Sequence, residues 1–101
     1  RPGVTCESVD AAARGVIESG GCGALFIHRT GHGIGMSCHE DPYIVRGNAQ
    51  ELVQGMAFSD EPGIYREGRY GVRIESILVV TRDGAEELNE PAPASLQRVG
   101  A

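Results

Sequence analysis

One helical stretch, closed by a glycine pair and followed by nothing else of helical period, sets the limits on this chain. Between Thr5 and Ser19, the residues Val9, Ala12, Ala13, Val16 and Ile17 recur at the spacing of one helix face. Thr5 is placed to cap the N-terminus, Glu7 puts a negative charge in the first turn, and Gly20-Gly21 ends the run. Asp10, Arg14 and Glu18 stand on the other side at i,i+4 intervals, where they can pair. The spacing predicts a packing helix over 5–19 with no chemistry of its own.

From Ala24 onward the period changes to that of strands. Ala24 to His28 reads as a short apolar strand, after which the glycines at 31, 33 and 35 read as a break in regular structure. Asp41-Pro42 reads as a turn, Tyr43 to Val45 as a brief extended piece, Arg46-Gly47-Asn48 as a turn, and Leu52 to Gly55 as a connector. Met56 to Glu61 forms a strand stopped by Pro62-Gly63, and Pro62 also biases Glu61 toward an extended backbone. After the turn-like Arg66 to Arg69, Tyr70 to Thr81 is predicted as the longest strand. Its apolar residues fall on both faces, which predicts burial. Asp83-Gly84 is a hairpin signal ahead of a short strand near Ala85 to Leu88. The stretch 89–101, with Pro91 and Pro93, reads as a loose tail. One main helix packed on a curved antiparallel sheet, an α+β arrangement over residues 1–88, accounts for the whole pattern.

With 101 residues the chain is one domain at most. A net charge of −5 without a basic cluster argues against nucleic-acid binding. No apolar run reaches transmembrane length and no charged-then-apolar leader opens the chain, so no membrane partner is expected. Cys6, Cys22 and Cys38 are odd in number and contain no Cys-x-x-Cys pair. That fits neither a disulfide framework nor a thiolate zinc site, and it favours a reducing cytoplasm. The opening Arg1-Pro2-Gly3 reads like the middle of a larger protein.

All three histidines, His28, His32 and His39, fall within twelve positions, with Glu61 and Glu75 downstream. One imidazole and two carboxylates suit a divalent cation such as Mn, Co, Fe or Zn. Glycines on both sides of His32 let the backbone approach closely and adopt positive φ, which a core histidine rarely needs. His28 and His32 have the interval of a helical zinc motif, yet Gly31 and Gly33 argue against a helix and no His-Glu-x-x-His exists. His39, beside Glu40-Asp41-Pro42, reads by itself as a surface turn residue. Strand alternation puts Ala57, Ser59 and Glu61 on one side, and Arg73, Glu75, Ile77 and Val79 on another. A buried Glu75 needs a compensating partner, which is either Arg73 or a metal.

Together, His-Arg-Thr-Gly-His-Gly-Ile-Gly from His28, His-Glu-Asp-Pro-Tyr-Ile from His39, Glu-Pro-Gly-Ile-Tyr from Glu61 and Gly-Val-Arg-Ile-Glu from Gly71 resemble a known family. It is that of the pita-bread metallopeptidases, which comprises methionine aminopeptidase, aminopeptidase P and prolidase. The gaps of 29 residues from His32 to Glu61 and 14 from Glu61 to Glu75, with His28 where it stands, look like the proline-directed branch. The resemblance covers residues 1 to about 88 and implies a partial pita-bread fold, the C-terminal half of a catalytic domain. It implies His32, Glu61 and Glu75 as metal ligands, with Glu75 bridging two divalent ions, manganese first and cobalt, zinc or iron as alternatives. It also implies His39 as oxyanion donor, Glu61 as proton carrier, His28 in the pocket for the proline ring and Arg73 as support for Glu75 or the substrate end. The substrate would be a proline-containing peptide and the full-length assembly a homodimer.

The family also supplies two aspartate ligands upstream of the helix. Asp10, Asp41, Asp60 and Asp83 all lie in the wrong motifs to replace them. The expectation is therefore an Xaa-Pro dipeptidase or aminopeptidase whose site is incomplete in this piece, which is inactive alone. The competing expectation is a non-peptidase pita-bread member, a creatinase-like hydrolase or a binding module; such relatives usually lose ligands, whereas all three expected here are present.

Overall fold

A computed structural model describes residues 1–100 of the chain. Helix α1 runs Cys6–Ser19, and Thr5 caps it by accepting from the Ser8 amide. A 3-10 turn at Gly23–Leu25 follows, then seven strands: β1 Gly31–Gly33, β2 Glu40–Ile44, β3 Ala57–Asp60, β4 Gly63–Arg66, β5 Tyr70–Arg73, β6 Ser76–Val80 and β7 Ala85–Glu87. Five form an antiparallel sheet in the order β2-β1-β3-β6-β7, and β4 pairs with β5. One helix on an antiparallel sheet is the expected α+β architecture. The stretch after Leu88 carries no helix or strand and is exposed.

Several local expectations change. Ala24 to His28 is the 3-10 turn and an irregular segment in place of a strand. Asp41-Pro42 lies inside β2, with a cis peptide bond, in place of turning the chain. The Gly-His-Gly run does not break regular structure: it is β1, one of the sheet's inner strands. Its glycines do not use positive φ, which occurs at six other glycines, Gly47 and Gly68 in turns among them. They serve close approach. A Cβ on Gly31 would collide with the Ser59 carbonyl oxygen, and one on Gly33 with the Asp41 carbonyl. Only glycine admits β1 between its neighbours.

The expected long strand is interrupted at Ile74-Glu75. The pairing nevertheless runs on without a slip. β3 pairs with β6 up to Asp60↔Ser76, the Ile74 amide donates to the Pro62 carbonyl at 3.3 Å, and β4 pairs with β5 from Gly63↔Arg73 onward. Glu61 and Glu75 are therefore the opposed positions at the interruption. Burial does not follow the expectation: β5 and Glu75 are exposed, so Glu75 is not a buried carboxylate.

The core is Cys6, Ile44, Leu52, Phe58 and Val80, with Val4, Val9, Met56 and Leu78 packed on it. Register places Ile44, Phe58 and Val80 on one face of the sheet, and His32, Ser59 and Ile77 on the other. Helix α1 contributes Cys6 and Val9 to that core. Its expected packing face is only partly right, because Val16 is 75% exposed while Asp10 is 1% exposed. The helix turns a carboxylate inward because polar partners wait there.

Candidate metal centre

His32 is buried in β1 at a position opposite Ser59, and its amide donates to the Ser59 Oγ at 3.0 Å. On the ring, Nδ1 lies 2.9 Å from the Gly33 carbonyl. A carbonyl can only accept, so Nδ1 carries the hydrogen and the ring is held in one orientation. Nε2 then points at Glu61 Oε2, 3.4 Å away. Glu61 is fixed by its own amide, which donates to the Thr30 carbonyl at 2.7 Å, and its side chain is 14% exposed.

A nitrogen lone pair and a carboxylate oxygen repel each other unless a proton or a cation lies between them. Glu75, opposite Glu61 in the register, adds a second carboxylate on the same side of the ribbon, where like charges disfavour one another. The donor set therefore fits a divalent cation. Among the described residues no three His, Cys, Asp or Glu side chains gather closely enough to hold an ion by themselves. The chain brings two donors together and sets a third across the ribbon.

Around this pair the other expected residues take up places. The His39 ring centroid is 4.3 Å from that of His32, with His39 itself exposed. Arg73 Nη1 lies 3.5 Å from Glu61 Oε1, so Arg73 supports Glu61, whereas Glu75 was its expected partner. His28 stands apart from the histidine pair and meets Tyr65: its Nδ1 donates to the Arg29 carbonyl at 2.6 Å, and its Nε2 lies 3.2 Å from the Tyr65 hydroxyl. Tyr65 also accepts from Arg73 Nε at 2.8 Å, a bond that raises the guanidinium pKa. Tyr65, which links His28 to Arg73, was not among the expected site residues. The available signal was its place in Glu-Pro-Gly-Ile-Tyr, where a hairpin after Pro62-Gly63 puts it beside Arg73.

Two further carboxylates have displaced pKa values. Burial alone would raise Asp10, but hydrogen bonds from Arg14 and Thr30 outweigh it and hold the carboxyl below its ordinary value. Asp60 is pushed up by burial and by the charge of Glu87, and its Oδ1 is buried without a hydrogen-bond partner.

Residues 1–82 match the model of metallopeptidase family M24, and the chain belongs to that family. Over 89 residues it is 63% identical to the probable dipeptidase PepE of Mycobacterium tuberculosis, covering 88% of this chain and 24% of that protein. It is 56% identical over 84 residues to an Xaa-Pro dipeptidase of Lactobacillus helveticus, covering 83% and 23%. The structure superposes on dipeptidase PepE from Mycobacterium ulcerans with a TM-score of 0.89 at 60% identity, over 91% of this chain and 25% of that one. The fold is thus part of the pita-bread architecture, and the chain spans about a quarter of the length of the relatives it matches. Membership of a metallopeptidase family brings with it a requirement for divalent metal. Among the described residues no helix is long and apolar enough to cross a membrane.

Proposed function

We propose that the protein carrying this chain hydrolyses Xaa-Pro peptide bonds, with His32, Glu61 and Glu75 as this chain's share of its metal centre. The convergence of His32 Nε2 and Glu61 Oε2 carries the reading, in a chain similar to proteins named dipeptidase and Xaa-Pro dipeptidase. Two divalent cations, manganese first and cobalt, zinc or iron as alternatives, supply Lewis acidity and lower the pKa of water when bound. The two aspartates implied by the resemblance come from outside this stretch.

The chain's own residues divide the remaining work. Glu61 accepts the proton of the attacking water and passes it to the leaving nitrogen. Arg73 keeps that carboxylate in position. His39 donates to the substrate carbonyl oxygen as it gains negative charge, a contribution typically of ~3 kcal/mol. His28, braced by Tyr65, lines the pocket for the proline ring. The three free cysteines support a cytoplasmic setting, and a homodimer is the expected assembly, to be checked by light scattering on the intact protein.

The test is direct. The intact protein with manganese should cleave an Xaa-Pro dipeptide, and His39→Ala should lower kcat by about 10²-fold. Absence of hydrolysis with all four metals, or an undiminished His39→Ala variant, would sink the reading.

A further inference from the structure

Residues 26–30 have no regular structure, yet they carry His28 and lead directly into the strand that holds His32. Helix α1 supplies what fastens them. Arg14 donates from Nη1 to the Phe26 carbonyl and from Nη2 to the His28 carbonyl, both at 3.0 Å. The same guanidinium binds Asp10 through Nε and Nη2, again at 3.0 Å each. Four hydrogen bonds therefore leave it with almost no unused donor capacity. Asp10 closes the other end of the segment, accepting the Thr30 hydroxyl at 2.8 Å and the Thr30 amide at 3.2 Å. Between these ends, the buried Phe26 ring has the Arg14 guanidinium 4.1 Å from its centroid and meets the edge of the His28 ring at 5.2 Å. The Thr30 carbonyl in turn accepts the Glu61 amide.

We infer that Asp10 and Arg14 are positioning residues that set the orientation of the His28 imidazole over the substrate pocket. This rests on the assignment of His28 to that pocket. An isolated helical ion pair needs only its two partners. This one grips the peptide plane that follows His28, through the His28 carbonyl, and also the planes that begin at Phe26 and end at Thr30, so the backbone carrying His28 is held on both sides while the pair is intact. His28 then reaches Tyr65 from a fixed root. Lysine at position 14 keeps the charge but cannot span two carbonyls and a carboxylate with a planar fork.

The experiment is nitrogen-detected NMR of this chain's three imidazoles in the metal-free intact protein, with Xaa-Pro kinetics on the metal-loaded protein alongside. Arg14→Lys should move the His28 Nε2 resonance, because the Tyr65 hydroxyl no longer meets it squarely, and should leave the His32 resonances in place. It should raise KM about tenfold, the scale of losses when an outer partner of a site residue is removed, with kcat within about twofold. Leu52→Ala, a cavity in the core that takes no hydrogen bond from the segment, serves as the stability control and should leave His28 unmoved. Should Arg14→Lys not fold, Thr30→Val removes one bond to Asp10 and should produce the same shift at smaller amplitude. A His28 resonance unchanged in the folded variant, or moved equally by Leu52→Ala, overturns the inference. If the protein cleaves no Xaa-Pro peptide, the peptidase reading fails, while the NMR result still decides whether the pair orients His28.

Discussion

Two carboxylate–arginine pairs lie among the described residues, and they are built in opposite ways. Asp10 is buried and Arg14 half-buried; the pair is bidentate at 3.0 Å and surrounded by Thr30, Phe26 and His28 groups that use up most of its remaining capacity. Glu61 and Arg73 meet at 3.5 Å, with the arginine side chain 48% exposed and the carboxylate also facing a histidine nitrogen. The first pair is nearly saturated and has little left to offer a ligand. The second is held in place but leaves valence open, as a group that must bind something else has to. Saturation, more than proximity of charge, separates a fastening from a site.

The largest test of that contrast is Asp10→Ala. Taking the acceptor away from the half-buried Arg14 and the buried Thr30 hydroxyl should cost about 2–3 kcal/mol, measured by urea unfolding. Acid titration sharpens it. Asp10 has a folded pKa below the unfolded value of 3.8, so its contribution is complete above pH 3.8 and is lost as pH falls through the folded value. Stability should therefore fall more steeply below pH 3.8 in the parent than in Asp10→Asn, and equal slopes would break the account.

Asp60 offers an intermediate case, a carboxyl partly buried with an oxygen that nothing satisfies. Asp60→Val should stabilise the fold by about 1 kcal/mol, raising Tm by roughly 4–8 °C. The smallest effect belongs to the open pair. Arg73→Met should leave Tm within error, since exposed ion pairs contribute little, while activity of the intact protein drops about tenfold. A marked loss of stability there would show the second pair to be as structural as the first.

Much of this was legible locally. The Thr5 cap, the Gly20-Gly21 stop, the Asp10–Arg14 spacing, the strand ending near Glu61 and the Asp83-Gly84 hairpin all depend on neighbours within a few positions. What the sequence hid depends on distant partners. Asp10 goes inside because Thr30, twenty residues later, bonds it, and no helical period reports that. Gly31 and Gly33 read as breakers because their strand role appears only once Ser59 and Asp41 crowd them. The motif around Glu61 and Glu75 was visible, but their placement as opposed residues on a continuous ribbon follows from a register that only the folded chain displays. Tyr65 escaped notice for the same reason, since its two partners are 37 and 8 residues away in the chain.

That unbroken register also determines where the gene can change length. A single codon gained or lost between Glu61 and Arg66, or between Tyr70 and Glu75, would shift one rail of the hairpin against the other and turn a glutamate to the far side. The tip at Glu67–Arg69 has no such duty. A change of length at that turn leaves Glu61 and Glu75 opposed, which makes it the place to graft a tag or a recognition loop without shifting the rails.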